Sequence, residues 1–334
     1  MSNLTQFLPP GKTAPRIARM AVSNWQTRAS ASDNNWFGIA WNGTVFAAVG
    51  SQAVMSSPDG INWTSRTAAA DNTWRAIAWN GTVFCAVSSD GGTQKAMTSP
   101  DGITWTIRTT TVDITYGAIA WNGTVFCAVG SDGIADSVIT SPDGTTWTRR
   151  TTPNTNILTS IAWNGTVFAA VAANGTGNRV MTSPDGITWT SRTSAADNTW
   201  RSVAWNGTVF AAVSNTGSGD RAMTSPDGIT WTIRTSAANL NWNSIAWNGT
   251  VFAAGSQSGA GNRVMTSPDG ITWTIRTSAA DNNWNGIAWN GLGTAPMYLL
   301  PAAGTGTVFA AVSAGPGTGN RVMTCHFSKF GSPT

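Results

Sequence analysis

The tripeptide Trp-Asn-Gly occurs seven times in this chain, and its spacing constrains the fold more than any other feature. It begins at Trp41, Trp79, Trp121, Trp163, Trp205, Trp247 and Trp289. The first interval is 38 residues and each later interval is 42. A period of this length is typical of a stacked or ring-shaped repeat protein, in which each copy supplies one supersecondary unit. Most residues are therefore expected to serve the repeat itself.

Each copy contains four short stretches that favour β-strands. In the copy at residues 198–238, an apolar run at 208–213 follows the dipeptide Asn206-Gly207, which favours a two-residue hairpin turn. A second turn, Ser225-Pro-Asp-Gly228, separates the third stretch from an alternating fourth stretch. Four strands of about six residues with short connections need about 40 residues. The period therefore predicts one four-stranded propeller blade per copy.

The two ends of the chain predict how the ring closes. Ser-Pro-Asp-Gly occurs six times, with its aspartate at Asp59, Asp101, Asp143, Asp185, Asp227 and Asp269. The seventh copy ends at Thr324 without its fourth strand, whereas Trp25-Gln-Thr-Arg28 has the sequence of a fourth strand. We predict an all-β, seven-bladed propeller of four-stranded blades, closed by an N-terminal strand that completes the last blade. The predicted bounds are an arm at 1–19, the propeller at 20–327 and a tail at 328–334.

Composition supports the all-β prediction and argues against several partners. Glu and Lys are good helix formers, and the chain has no Glu and only three Lys. Three of the charges behind the net +4 belong to the arm, namely Lys12, Arg16 and Arg19. The nearly neutral body has no basic stripe for nucleic acid. No apolar run of about 20 residues predicts membrane insertion, and residues 1–20 lack the apolar core of a signal peptide.

The three cysteines do not predict a disulfide framework. Cys85 and Cys127 occupy the same place in successive copies, so they should lie in neighbouring sheets about 10 Å apart. Bridged Cα atoms lie within about 7 Å, so we expect buried thiols. With Cys325, the count is odd.

Two resemblances follow from the repeat. Ser-Pro-Asp-Gly-Ile-Thr-Trp resembles the Asp-box of sialidase-type propellers, although it is one residue shorter between Asp and Trp. In that family the box is a structural turn, so the resemblance implies a propeller rather than sialidase chemistry. The whole unit, with Arg-Thr-Ser-Ala-Ala-Asp-Asn and Trp-Asn-Gly-Thr-Val-Phe, also resembles repeats of bacteriophage and prophage structural proteins over about nine tenths of the chain. That resemblance implies a virion component, such as a tail, fibre or capsid-decoration protein.

The sequence offers little for catalysis. There is no Glu, and the one histidine, His326, lies near the C-terminus, so we expect neither a catalytic triad nor a metal site or other cofactor. A pair of Asp could still serve a glycosidase. However, six Asp belong to the turns, and others follow a fourth-strand arginine by five residues. These pairs predict local tethers: Arg28–Asp33, Arg66–Asp71, Arg108–Asp113, Arg192–Asp197 and Arg276–Asp281.

Binding is the better prediction, and two regions are candidates for it. The loops between second and third strands vary between copies and should lie on one rim with the fourth-to-first connections. The candidate ligand residues there are Asp136, Asn178, Arg179, Asp220, Arg221, Asn262, Arg263, Asn320 and Arg321. An insertion at 292–306 replaces a tight turn in the last copy. With the arm, it gives the candidate docking residues Met297, Tyr298, Leu299, Leu300, Lys12, Arg16 and Arg19.

We therefore expect a non-enzymatic structural or attachment protein of a phage particle. Its predicted partners are other virion proteins and a host-surface glycan bound by the variable rim. The alternative is a free bacterial lectin, secreted or cytoplasmic. A glycoside hydrolase of sialidase-like fold is disfavoured because the chain has no Glu. Variable loops could also be no more than solvated hairpin tips.

Overall fold

The computed structural model describes residues 21–22, 24–131, 137–290, 307–315 and 319–328. These residues form seven antiparallel sheets, the blades of one propeller. The docking residues of the arm and the insertion, and Asp136, lie outside the described residues. Within the described part of the chain, no helix is long and apolar enough to span a membrane.

The strands follow in chain order, beginning with two short N-terminal ones, β1 (Ala21–Val22) and β2 (Gln26–Arg28). Blade 1 contains β3 (Trp36–Trp41), β4 (Phe46–Gly50), β5 (Ala53–Ser57) and β6 (Thr64–Arg66). Blade 2 contains β7 (Trp74–Trp79), β8 (Phe84–Ser88), β9 (Ala96–Ser99) and β10 (Thr106–Arg108). Blade 3 contains β11 (Thr115–Trp121), β12 (Phe126–Ser131), β13 (Val138–Ser141) and β14 (Thr148–Arg150). Blade 4 contains β15 (Leu158–Trp163), β16 (Phe168–Ala172), β17 (Val180–Ser183) and β18 (Thr190–Arg192).

The remaining strands repeat the pattern. Blade 5 contains β19 (Trp200–Trp205), β20 (Phe210–Ser214), β21 (Ala222–Ser225) and β22 (Thr232–Arg234). Blade 6 contains β23 (Trp242–Trp247), β24 (Phe252–Ser256), β25 (Val264–Ser267) and β26 (Thr274–Arg276). Blade 7 contains β27 (Asn283–Trp289), β28 (Thr307–Ala314) and β29 (Val322–Ser328). Fourth strands are three residues long, shorter than their alternating sequence suggested.

The ring closes as predicted. Both N-terminal strands pair antiparallel with β29, with Thr27 opposite Met323 and Val22 opposite Phe327. Trp25 lies buried and stacks on Phe309 of the same blade, with ring centroids 6.0 Å apart. The start of the chain thus covers the outer edge of the last blade. Strand β29 includes Ser328, the last residue that the structure describes.

The core lies in the second and third strands, which are packed between neighbouring sheets. All five residues of β20 are buried, as the apolar run predicted. Their alanines allow neighbouring sheets to pack closely, and one large side chain in each second strand, such as Phe210, fills the remaining space. Cys85 and Cys127 occupy equivalent buried positions, and burial raises the pKa of both thiols. These thiols are therefore inert packing groups.

The two tight turns hold themselves together through side chains. In blade 5, Asn206 Oδ1 accepts hydrogen bonds from the backbone N–H of Thr208 and Val209 at 2.8 and 2.7 Å. Asp227 Oδ1 likewise accepts from Ile229 and Thr230 at 2.8 and 3.0 Å. Although partial burial opposes ionisation, these backbone hydrogen bonds hold the pKa of Asp227 below its usual value. The aspartates of the turns are therefore structural.

Each buried first-strand tryptophan is tied to the connection before it. The indole Nε1 of Trp200 donates to the carbonyl of Ala196 at 3.1 Å, and Trp74, Trp242 and Trp284 make the same bond to the carbonyl four residues earlier. Tyr116 replaces the tryptophan in blade 3, and its hydroxyl donates to the Val112 carbonyl at 3.2 Å. The aromatic ring fills the space between blades and its polar group fixes the incoming loop.

The predicted Arg–Asp tethers are wrong. The fourth-strand arginines donate from Nε to a third-strand hydroxyl instead, as Arg234 does to Thr224 Oγ1 at 2.8 Å. In blades 4, 6 and 7 the aspartate pairs with the arginine that precedes the third strand, as Asp281 does with Arg263 at 3.5 Å. The predicted pairs do not form because the fourth-strand guanidinium points across the sheet to the third strand, whereas the aspartate lies beyond the sheet on the rim.

Candidate functional site at the mouth of the central channel

Every first strand carries a β-bulge at the same place. In β19 the pairing with β20 shifts register between Trp200 and Ser202, so Arg201 is the extra residue. The same shift occurs once in the first strand of each of the other blades. We call the seven extra residues the channel ring: Phe37, Arg75, Gly117, Thr159, Arg201, Asn243 and Asn285. A bulge frees its residue from the ladder and redirects the side chain.

The channel ring surrounds a cavity in the middle of the propeller. The cavity holds about 600 Å³, and all seven ring residues line it. Ring residues lie near the start of each first strand, which runs from the rim of variable loops towards the Asn-Gly turns. The cavity is therefore the mouth of the central channel, and it opens on the same side as the variable rim.

The channel ring is the position where the copies differ. The residue before it is a large buried side chain, Trp in five copies, Tyr116 in blade 3 and Leu158 in blade 4. The residue after it is always Gly, Ala or Ser. Between these two constrained positions stand an aromatic, two arginines, a glycine, a threonine and two asparagines. Since the fold accepts all of these residue types at the ring position, packing of the repeat does not determine which one occurs there.

A chain of hydrogen bonds orders three of the seven ring residues. Arg201 Nε donates to Asn243 Oδ1 at 3.2 Å, and Asn243 Nδ2 donates to Asn285 Oδ1 at 3.3 Å. Gln257 Nε2 also donates to Asn285 Oδ1, at 2.8 Å, and Asn285 Nδ2 donates to the Trp36 carbonyl at 3.2 Å. These bonds link blades 5, 6, 7 and 1, so the polar side chains are held in place before any ligand arrives.

Arg75 is positioned by different groups on the other side of the ring. Its guanidinium carbon lies 4.3 Å from the centroid of the Phe37 ring, and its Nε donates to Ser89 Oγ at 3.2 Å. Burial lowers the pKa of Arg75, and the nearby carboxylate of Asp90 offsets part of this effect. That carboxylate itself accepts from the N–H and hydroxyl of Thr73, at 2.6 and 2.7 Å.

The mouth of the channel is electropositive. Among the described residues, its lining contains Arg75 and Arg201 and no Asp, Glu, His or Lys. Burial lowers the pKa of Arg201, and the charge of Arg75 lowers it further, so the two cations repel each other across the cavity. Arginine stays protonated at any physiological pH despite such shifts. Two like charges are thus held together in a partly enclosed space.

The predicted rim arginines have a different environment. Arg263 Nε donates to the Gly259 carbonyl at 2.9 Å, and its Nη1 donates to the carbonyls of Gln257 and Asn282 at 3.0 and 3.2 Å. Arg179, Arg221 and Arg321 make corresponding bonds within their own loops. Their side chains are largely buried, at 11–15% exposure for the three in ion pairs. The structure gives these four arginines a loop-stabilising role, and ligand binding by them stays a prediction.

The other predicted rim residues mainly supply backbone to this arrangement. The carbonyls of Asn178, Asp220 and Asn320 accept from the side-chain amides of Asn156, Asn198 and Asn282 at 2.9, 2.8 and 2.7 Å. Asn262 precedes Arg263 in the equivalent loop, and its side-chain oxygen is buried. Among the described residues, no group of three or more potential metal-binding His, Cys, Asp or Glu exists.

Sequence reasoning missed the channel ring, although a signal was present. Aligning the seven copies shows one strand position that is free to vary between two that are not. The loops gave the stronger signal because they vary in length as well as in sequence. The bulge that turns this position into the channel has no sequence signature of its own, since Phe, Arg, Gly, Thr and Asn all occupy it.

No protein-family model and no curated protein sequence matches the chain. Solved structures share its fold at low identity. A structure described as YCF48 bound to D1 peptide is 13% identical, with a TM-score of 0.64, and the match covers 92% of this chain and 100% of that one. A catalytically inactive virginiamycin B lyase from Staphylococcus aureus with quinupristin is 10% identical, with a TM-score of 0.72, covering 91% and 99%. A chain of the mitotic checkpoint complex is 13% identical, with a TM-score of 0.63, covering 96% and 99%. These likenesses show the propeller fold.

Proposed function

We propose that the chain is a non-enzymatic binding protein of a phage particle and that it binds its ligand at the mouth of the central channel. The observation that carries the binding site is the channel ring: seven bulged positions that face one cavity and differ between otherwise repeated copies. A concave site with a few ordered polar groups is the usual form of a small-ligand site. A host-surface glycan is the ligand class that the ordered asparagines and Gln257 favour.

The proposed placement on a virion rests on the sequence resemblance of the repeat unit to phage structural proteins. The Asp-box resemblance bears on the turns, where the aspartates accept backbone hydrogen bonds, and not on chemistry. The non-enzymatic part of the proposal is supported by the lining of the cavity, whose described residues offer no carboxylate, imidazole or thiol as a proton donor or nucleophile.

The binding proposal is tested by filling the channel without changing the blades. A Cβ added to Gly117 has the Leu158 carbonyl oxygen as its nearest neighbour, at 3.4 Å, which is about ordinary contact distance. We therefore expect Gly117→Trp to fold normally and to obstruct the cavity. A glycan array probed with the parent protein and this variant should show a set of ligands that the variant no longer binds. Binding that is unchanged in a correctly folded Gly117→Trp protein would place the site elsewhere.

The virion proposal has its own test. Particles induced from a strain that carries the gene should contain the protein at a constant copy number when analysed by quantitative mass spectrometry. A free lectin, the alternative, would instead be recovered in the particle-free fraction. Hydrolysis of any array ligand would contradict the non-enzymatic assignment.

A further inference from the structure

Arg201, like Arg75, keeps most of its hydrogen-bonding capacity unused. A guanidinium carries five N–H donors. Among the described residues, the guanidinium of Arg201 has one hydrogen-bond acceptor, Asn243 Oδ1, which accepts from Nε–H. The four N–H groups of the two terminal nitrogens therefore remain for a ligand. Rim arginines such as Arg263 use their terminal nitrogen on backbone carbonyls, so the difference does not come from residue type.

The two channel arginines are also held ready for an anion. Arg201 is fixed through Asn243, and Arg75 through Phe37 and Ser89. Both guanidinium groups line the same cavity, so a negative group between them would offset the burial of the two charges and the repulsion between them. In a partly enclosed cavity this attraction is stronger than at an open surface, because less water screens the charges. Geometry and charge thus favour the same kind of ligand group.

The other polar side chains of the lining suit hydroxyl groups, whereas one Ile or Val of each blade lines the cavity two residues further along the first strand. Asn243, Asn285 and Gln257 form a continuous amide cluster beside Arg201, and Thr159 lies next to it on the ring. Phe37 is the aromatic side chain among the ring residues. A cavity of about 600 Å³ with polar groups at the ring and aliphatic side chains further along the strands accepts a compact molecule whose polar groups face the ring.

We infer that the channel mouth binds an anionic saccharide, with Arg75 and Arg201 on a carboxylate or phosphate group and the Asn243–Asn285–Gln257 cluster on neighbouring hydroxyls. This inference rests on the proposed binding site at the channel mouth and adds the charge of the ligand. The carboxylate and the phosphate share the same recognition chemistry, since both present oxygen pairs to a guanidinium.

A matched series of sugars separates the effect of charge from that of shape. Glucose, glucuronate, methyl glucuronate ester and glucose 6-phosphate differ only at C6. Their affinities for the full chain can be measured by ligand-observed NMR. We expect glucuronate, glucose 6-phosphate or both to bind at least about tenfold more tightly than glucose and the ester, as one charged hydrogen-bonded pair would give. Preference for one of the two anions identifies the group.

Matched variants then locate the effect. Arg201→Met should weaken the anionic sugar by about 10- to 100-fold and glucose by much less, while Arg201→Lys should recover only part of the loss because it keeps the charge without the planar fork. Arg179→Met is the control, since it removes a rim arginine of the same charge whose acceptors, the carbonyls of Ala173 and Gly175, lie outside the cavity lining. It should lower stability and leave the affinity of the folded protein unchanged.

Different results would overturn different statements. Equal affinity for glucose and glucuronate, with binding still lost in Gly117→Trp, would refute the anion inference and keep the channel site. Anion binding that Arg179→Met weakens as much as Arg201→Met would reflect general charge and refute the inference as well. Tight binding of an acidic peptide, with none of any sugar, would replace the saccharide by a peptide ligand. Binding that survives Gly117→Trp would refute the channel site itself.

Discussion

The rim arginines and the channel arginines lie on the same side of the propeller, but they make different contacts. Arg179, Arg221, Arg263 and Arg321 recur at one position in four copies and bond to the carbonyls of their own loops. Arg75 and Arg201 replace other residues at a position where the copies disagree, and they repel each other. In this chain, the rim arginines that recur bond to their own loops, and the two that do not recur are those for which we propose a ligand.

The largest effect should follow from removing the strand that closes the ring. Deleting residues 20–28 takes away β1, β2 and the buried Trp25, and it leaves the edge of β29 unpaired. We expect loss of the cooperative unfolding transition, because the last blade can no longer complete its sheet. Thermal unfolding followed by circular dichroism measures this. A truncated protein that melts cooperatively at the parent temperature would show that closure is dispensable.

The next largest effect should come from the position just before the channel ring. Trp200→Ala removes a fully buried ring and its hydrogen bond to the Ala196 carbonyl, and should cost about 3–5 kcal/mol of unfolding free energy. Trp200→Leu should cost less, since Leu158 occupies the equivalent place in blade 4. Urea unfolding of both variants checks the order. Equal losses of unfolding free energy in the two variants would show that side-chain volume does not determine stability at this position.

Removing a rim arginine should have an intermediate cost. Arg263→Met leaves the carbonyls of Gly259, Gln257 and Asn282 without their donor and Asp281 without its cation. We expect a loss of about 1–3 kcal/mol in unfolding free energy, measured in urea. Arg276→Met, on an exposed fourth strand, is the control and should cost less. An unchanged free energy of unfolding in Arg263→Met would show that this rim arginine does not stabilise the fold, and the contrast with the channel arginines would fail.

The propeller scaffold could be predicted from the sequence, whereas the channel ring could not. Trp-Asn-Gly at constant spacing and the missing seventh Ser-Pro-Asp-Gly predicted seven blades and the closure by residues near Trp25, because turns and buried strands have strong local preferences. The ion partner of Asp281 was predicted wrongly, since sequence distance does not show that Arg276 points across its sheet while Arg263 reaches the rim. The channel ring depends on a bulge, a property of strand pairing that one strand alone does not encode.

A smaller effect should appear as a pH dependence of the turns. The pKa of Asp227 and of its five counterparts is lowered in the folded protein: burial opposes ionisation, but backbone hydrogen bonds outweigh it. The ionised turns therefore stabilise the fold fully above the unfolded pKa of about 3.9, and this contribution is lost as the pH falls through the folded values. Urea midpoints between pH 6 and 2 should decline below about pH 4, and less steeply in Asp227→Asn. An identical slope in the variant would exclude this turn as a source.

The smallest expected change in stability is also the most informative. Folding lowers the pKa of Arg201, because burial and the charge of Arg75 both disfavour its protonated form. A cation with a lowered folded pKa costs stability at neutral pH, so Arg201→Met should remove that cost while losing one hydrogen bond to Asn243. We expect the unfolding free energy to stay within about 0.5 kcal/mol of the parent or to rise. A loss as large as that of Arg263→Met would make Arg201 part of the scaffold. An unchanged or higher stability would mean that the fold does not need this charge, as a position reserved for a ligand requires.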